Sequence, residues 1–223
     1  MNASLFGVGL LIAMAAPPAT RAATLEERVA QFGTAARVRM QPYFAAAGVA
    51  YPPTRVVLVG LKAEQRLELY AANAGGVLRF LRSYPVLAAS GVLGPKLREG
   101  DQQVPEGFYR IDSLNPDSQF HLSLRIGYPN AYDRRRAAED GRSDLGGAIM
   151  IHGSNVSVGC LALGDPAAED LFVLAAEVGL PNIRLILSPI DFRRSQLSPG
   201  YTPALPWVPA LYDEIRAALS ALP

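Results

Sequence analysis

Cys160 is the only cysteine in the 223-residue chain, and His152, one of two histidines, lies eight positions before it. Between them runs Gly153-Ser154-Asn155-Val156-Ser157-Val158-Gly159. A thiol is mostly protonated at neutral pH, so a cysteine nucleophile needs a base beside it, and imidazole suits that task. A strand that delivers His152, then a tight turn that returns Cys160, would supply the pair. Gly159 permits a backbone conformation in which successive N–H groups converge; with the N–H of Cys160 they could form an oxyanion hole. A helix N-terminus near Asp165 would add positive potential that favours the thiolate. Taken singly, a buried cysteine is ordinary core material and a histidine at a strand end is structural. Together, eight residues apart in a glycine-rich loop, they read equally as a thiol nucleophile with its base or as two structural residues. One Cys and two His fall short of a usual structural zinc site unless carboxylates join them, so neither metal nor cofactor is expected.

The elements that must position this pair can be read from the flanking pattern. Residues 148–151 look like a short buried strand running into His152. After Cys160, Asp165 can cap a helix with Pro166 in its first turn, Leu171, Leu174, Ala175 and Val178 on one face, and Gly179 at its end. Strand 183–187 and a C-terminal helix over 207–222 follow. Upstream, Thr24 and Glu27 fit a capping box opening a helix through Leu25, Val29, Phe32, Ala36, Met40 and Tyr43, closed by Gly48. Short apolar or alternating runs at 55–61, 66–70 and 77–81 suggest a meander of hairpins. Residues 91–107 read as a long surface loop, with Gly94-Pro95-Lys96-Leu97-Arg98-Glu99-Gly100-Asp101 at its centre. Strands are expected at 108–112 and 119–126. His121 lies on the alternating run of the second, with a wall-lining or surface role outside the catalytic machinery. Residues 128–147, containing Arg134-Arg135-Arg136, read as polar and turn-rich. The sum is a β-rich α+β fold forming one unit from about residue 24 to the end.

Half of the residues are apolar and the formal charge is +1, with no basic stripe interleaved with aromatics, so a nucleic-acid partner is not expected. Residues 5–16 are an unbroken apolar or small run, followed by Pro17-Pro18 and small residues through Ala23, the layout of a secretory signal peptide despite an n-region without Lys or Arg. Cleavage after Ala22 removes Arg21 and no acid, which takes the charge from +1 to 0. An exported chain with one cysteine has no internal disulfide, so its thiol is either buried and inert or kept because it reacts.

The run His152-Gly153…Ser157-Val158-Gly159-Cys160 resembles the active-site signature of the YkuD-type L,D-transpeptidase catalytic domain. The likeness extends through Tyr84-Pro85-Val86, Ser90-Gly91-Val92-Leu93-Gly94-Pro95-Lys96, Gly100-Asp101, Pro105-Glu106-Gly107-Phe108-Tyr109 and Ile126-Gly127-Tyr128-Pro129-Asn130-Ala131-Tyr132-Asp133-Arg134. In that longer form it is similar to the YafK-like branch. The resemblance implies a mixed β-sandwich or barrel-like domain with flanking helices, acting on peptidoglycan stem peptides. Cys160 would attack the amide after an L-centre at the third stem residue, displacing a D-amino acid, and the thioester would pass to an amine or to water. His152 would be the general base, the Gly153 carbonyl would orient it, and Ser157, Val158 and Gly159 would shape the turn. Two departures stand out. The His-to-Cys spacer is about half the family's usual length, and Ala162 stands where many members carry Arg. Lys96, Arg98 or Arg134 could then grip a substrate carboxylate.

The resulting organisation is a signal peptide over 1–22, a helix and linker over 23–54, the catalytic domain over 55–190 and a helical C-terminal extension over 191–223. The expected activity is an exported, periplasmic or envelope L,D-transpeptidase. The alternatives are a hydrolase of the same bond class that detaches a wall-linked lipoprotein, a non-catalytic wall-binding module, and a structural envelope protein with a buried cysteine.

Overall fold

The computed structural model describes residues 21–223, so the leader expected over 1–22 lies, but for its last two residues, outside the described part. Thr24 caps α1 (Leu25–Ala47): its hydroxyl accepts the Glu27 N–H at 3.2 Å, and the Glu27 carboxylate accepts the Thr24 N–H at 2.8 Å. Gly48 ends the helix in the left-handed region, φ +65°. The strands are β1 (Val56–Leu61), β2 (Arg66–Ala72), β3 (Leu78–Pro85), β4 (Gly107–Tyr109), β5 (Ile111–Ser118), β6 (His121–Ile126), β7 (Met150–His152), β8 (Leu161–Ala162) and β9 (Ile183–Ser188). They form two sheets, ordered β3-β2-β1-β9-β4 and β5-β6-β7-β8, with β1·β9 and β7·β8 parallel and the other pairings antiparallel.

The alternation in β1 explains the layering. Val56 and Leu58 join the main core with Leu122, Leu124 and Ile151 of the second sheet and with helices α1 and α3 (Asp165–Val178). Val57, Val59 and Leu61 face the other way, onto Val208, Leu211, Tyr212, Ile215 and Leu219 of α4 (Val208–Ser220). Each such buried Val, Leu or Ile contributes roughly 1.5–3 kcal/mol, so the C-terminal helix is a full layer on the sheet.

Three expectations need correcting. The strand read at 108–112 divides at Arg110: β4 joins β9 in the first sheet, and β5 joins β6 in the second. The stretch read as turns contains α2 (Ala131–Glu139), whose only buried residue is Ala137, so no apolar stripe advertises it. Its start is set by a capping box in which Asn130 accepts the N–H groups of Tyr132 and Asp133 while Asp133 accepts that of Asn130. Asp165 does not cap α3; Gly164 holds that position and the Asp165 carboxylate accepts the Ser154 N–H at 2.7 Å. The two-residue β8 carries too little pattern to be read from sequence.

A buried ionic brace ties the long 91–107 loop to the body. The Glu106 carboxylate, 2% exposed, accepts from Lys62 Nζ at 2.9 Å, from the Gly94 N–H at 2.9 Å and from the Tyr212 hydroxyl at 2.6 Å. Lys62 also donates to the carbonyls of Gly94 and Val104. Burial pushes the Lys62 ammonium below its usual range, and the facing Glu106 opposes that shift. Removing one partner leaves an uncompensated buried charge. Glu106→Leu is therefore expected to cost about 3–5 kcal/mol in urea unfolding, and Tyr212→Phe about 1 kcal/mol. A loss below about 1 kcal/mol for Glu106→Leu would show that the brace contributes little.

Candidate active site

The register of two short strands places the residues of interest. Strand β7 pairs with β8 through Ile151↔Leu161 and His152↔Ala162, and with β6 through Ser123↔His152 and Arg125↔Met150. Ile151 and Leu161 are both buried in the main core. Side chains alternate across a strand, so His152 takes the opposite face, and Cys160, one residue before Leu161, takes it too. The Met150 N–H reaches Cys160 Sγ at 3.4 Å, which fixes Cys160 beside Met150 and makes it a diagonal neighbour of His152.

His152 Nδ1 lies 2.6 Å from the Gly153 carbonyl oxygen. A carbonyl only accepts, so Nδ1 carries the proton and Nε2 keeps its lone pair. Burial lowers the imidazole pKa, with the Gly153 carbonyl opposing, so the ring is neutral near pH 7. The Phe120 ring lies over it at 4.7 Å between centroids, tilted by 31°. Gly153 has no room for a side chain. A Cβ there would sit 2.5 Å from Asp165 Oδ1, 2.8 Å from the Phe120 carbonyl and 2.9 Å from His121 Cβ.

Cys160 is half-buried. Burial raises its thiol pKa, against the Met150 N–H and the positive charge of Lys96. The thiol therefore needs a base to become a nucleophile near neutral pH. In this state Sγ points to the Ala148 carbonyl at 3.8 Å and makes no hydrogen bond to His152. The loop between the two is tied at its base, where Leu163 N–H donates to the His152 carbonyl and Gly164 N–H to that of Ser154.

The oxyanion donors expected at Gly159 and Cys160 are already engaged. Gly159, at φ +79°, donates its N–H to Ser90 Oγ at 2.6 Å, and Ser90 in turn donates to the Gln102 carbonyl at 2.7 Å. The Cys160 N–H goes to Ser157 Oγ at 3.1 Å, which returns a bond to the Cys160 carbonyl at 2.7 Å. Ser157 thus closes the turn on both the N–H and the carbonyl of Cys160. Val158 is 70% exposed at its tip.

The cations named from sequence part company. Lys96 is buried and donates to Asp101 at 2.6 Å and to the Arg98 carbonyl at 2.8 Å, so its ammonium is spent inside the loop. Asp101 also accepts the N–H groups of Leu97, Arg98 and Gln103. Arg98 is exposed beside a cleft of about 700 Å³ lined by Leu93, Asp101, Arg142 and Tyr201. Arg134 is exposed on α2, which is tied to β4 through Asn130 and Phe108. His121 breaks its strand's alternation: at φ +72° it turns to Glu169 of α3, 3.0 Å away, and packs edge-on to Phe32 of α1. Sequence reasoning gave no role to Phe120, which looked like one more alternating apolar residue, or to Ser90, which appeared only inside a longer motif. Among the described residues no group of three or more His, Cys, Asp or Glu is placed to hold a metal.

The family model described as the L,D-transpeptidase catalytic domain, YkuD, matches residues 54–181. The protein named "Putative L,D-transpeptidase YafK" of Escherichia coli (strain K12) is 38% identical over 160 residues, 63% of this chain and 62% of that protein. The protein of that name from Escherichia coli O157:H7 gives the same figures. The match thus spans under two thirds of these relatives' length. A mutant of the helical cell shape determining protein Pgp2 from Campylobacter jejuni superposes with a TM-score of 0.50 at 19% identity, over 83% of this chain and 61% of that one, a likeness of fold.

Phe120 covers one face of the imidazole, and burial is the main cause of its lowered pKa. Phe120→Ala is expected to raise the His152 pKa toward the ordinary value near 6.5, read as the imidazole shift in an NMR titration. Phe120→Tyr should leave it in place. An unchanged titration in Phe120→Ala would remove the ring from the account of the base.

Proposed function

The chain belongs to the L,D-transpeptidase catalytic domain family, and from that premise and the site geometry we propose that it is a cysteine acyl-transfer enzyme of peptidoglycan stem peptides. The observation that carries this reading is the 2.6 Å contact from His152 Nδ1 to the Gly153 carbonyl, which leaves Nε2 basic on the sheet face that Cys160 shares. The carbonyl does the orienting work that a side-chain acid does in a triad.

In the proposed reaction Cys160 turns about Cα–Cβ from the Ala148 carbonyl toward His152, and its proton passes to Nε2. Sγ bonds to the carbonyl carbon that follows an L-centre, and charge collects on the carbonyl oxygen. The N–H groups of Cys160 and Gly159 exchange their serine hydroxyls for that oxygen. The C–N bond breaks, the imidazolium returns its proton to the departing D-amino acid, and a thioester remains on Cys160. An acceptor amine completes transpeptidation and water completes hydrolysis, with His152 again taking the proton. Under the hydrolytic course a wall-linked lipoprotein is a fitting substrate. Peptidoglycan lies outside the cytoplasmic membrane, in keeping with export of the chain to the envelope.

Incubation with a carbapenem, an acylating analogue for this family, is expected to add one intact carbapenem mass to the protein and none to Cys160→Ala. His152→Ala should slow alkylation of Cys160 by iodoacetamide near neutral pH about a hundredfold, the low end of the usual worth of a general base. Product analysis of a stem peptide with and without an added amine reads the direction of transfer. No carbapenem adduct, or equal alkylation rates in wild type and His152→Ala, would sink the assignment and favour a non-catalytic wall-binding module.

A further inference from the structure

Ala162 stands where many family members carry an arginine, and the structure explains why no long side chain replaces it. Ala162 is fully buried, and the 86–106 loop closes over it through a bridge to Ala88 and a bond from the Leu87 N–H to the Ala162 carbonyl. Any grip on a substrate carboxylate must come from another element. Lys96 is committed to Asp101, Arg98 lines the cleft of Leu93, Arg142 and Tyr201, and Arg134 sits on α2 beside β4.

Resting on the stem-peptide reading above, we propose that Arg125 is the specificity-determining residue that binds a carboxylate next to the scissile bond. In β6, Leu122, Leu124 and Ile126 are buried in the main core, so Arg125 projects from the other face. It pairs with Met150, whose N–H touches Cys160 Sγ, while its neighbour Ser123 pairs with His152. Arg125, Met150 and Cys160 thus form one row across three strands, beside the row of Ser123, His152 and Ala162. Strands are spaced by about 4.8 Å, so the backbones of Arg125 and Cys160 are about 10 Å apart, a span matched to an extended arginine meeting a group one residue from the reacting carbonyl. Arg125 is exposed, and among the described residues its guanidinium has neither a hydrogen bond nor an ion pair. A guanidinium presents paired donors that fit a carboxylate's two oxygens, and an unpaired one beside a nucleophile is free to do so.

The test uses binding, so that no turnover is needed. A synthetic stem tetrapeptide ending in D-alanine is prepared as free acid and as C-terminal amide, and both are titrated calorimetrically into Cys160→Ala protein with Arg125 intact, Arg125→Ala or Arg125→Lys. With Arg125 intact the acid should bind roughly tenfold tighter than the amide, the scale of one charge-assisted contact. Arg125→Ala should bring that ratio close to one by weakening the acid only, and Arg125→Lys should recover part of it. A preference for the acid that survives Arg125→Ala overturns this assignment while leaving the stem-peptide reading intact. Failure of both peptides to bind with Arg125 intact overturns both.

Discussion

The parallel pairing of β7 with β8 is the constraint on which the rest of the site depends. It is very short, three residues against two, and its register is set by burying Ile151 and Leu161 in the main core. A slip of β7 by one residue would send the imidazole inward and Ile151 out, at a cost of one buried aliphatic side chain and a buried polar ring. Hydrophobic burial on one face of the sheet thereby decides which polar groups meet on the other. Gly153 adds a second condition, since only a residue without a side chain lets the chain turn so closely past Asp165 and Phe120 that its own carbonyl meets Nδ1.

Around this pair the structure uses loop contacts where many active sites use secondary structure. Ser90 joins three segments with one hydroxyl: its own loop, the Gln102 carbonyl and the Gly159 N–H. Asp101 collects three backbone N–H groups and the Lys96 ammonium. A single carboxylate with four donors is well satisfied, and its pKa is held below the usual carboxylate range by these bonds against the opposing effect of burial. The long loop is irregular in backbone yet pinned at several points along its length, so the surface it presents beside Cys160 is held in shape.

The helices with apolar stripes or caps, α1, α3 and α4, were legible, as were β1, β2 and β9, because burial imposes a period on the residues that undergo it. Residues 131–139 were missed because a helix that buries one alanine has no period to show; only Asn130 and Asp133, three apart, signalled its start. The division at Arg110 was invisible because both strands draw on the same apolar alternation and only tertiary pairing separates them. At the site, the types and spacing of His152, Gly153 and Cys160 were readable from the chain alone. The hydroxyl partners of the Gly159 and Cys160 N–H groups were not, since Ser90 lies far upstream and nothing local marks it. The same limit applied to charge: Lys96 looked available until a residue five positions on, Asp101, was seen to fold back onto it.

The brace of Lys62, Glu106 and Tyr212 ties the C-terminal helix to the loop beside Cys160 through one buried carboxylate. Glu106 takes a phenol from α4, an ammonium from the end of β1 and an N–H from Gly94 in the same buried space. Fraying of α4 would carry Tyr212 away and expose an ionised pair whose desolvation is already met, so local opening of either segment draws on the free energy of both. In hydrogen-exchange terms, the amides around Tyr212 and Gly94 share one source of protection, the buried carboxylate to which both segments donate. A helix more than a hundred residues from the loop in sequence thus helps to hold the loop that abuts the Gly159-Cys160 turn.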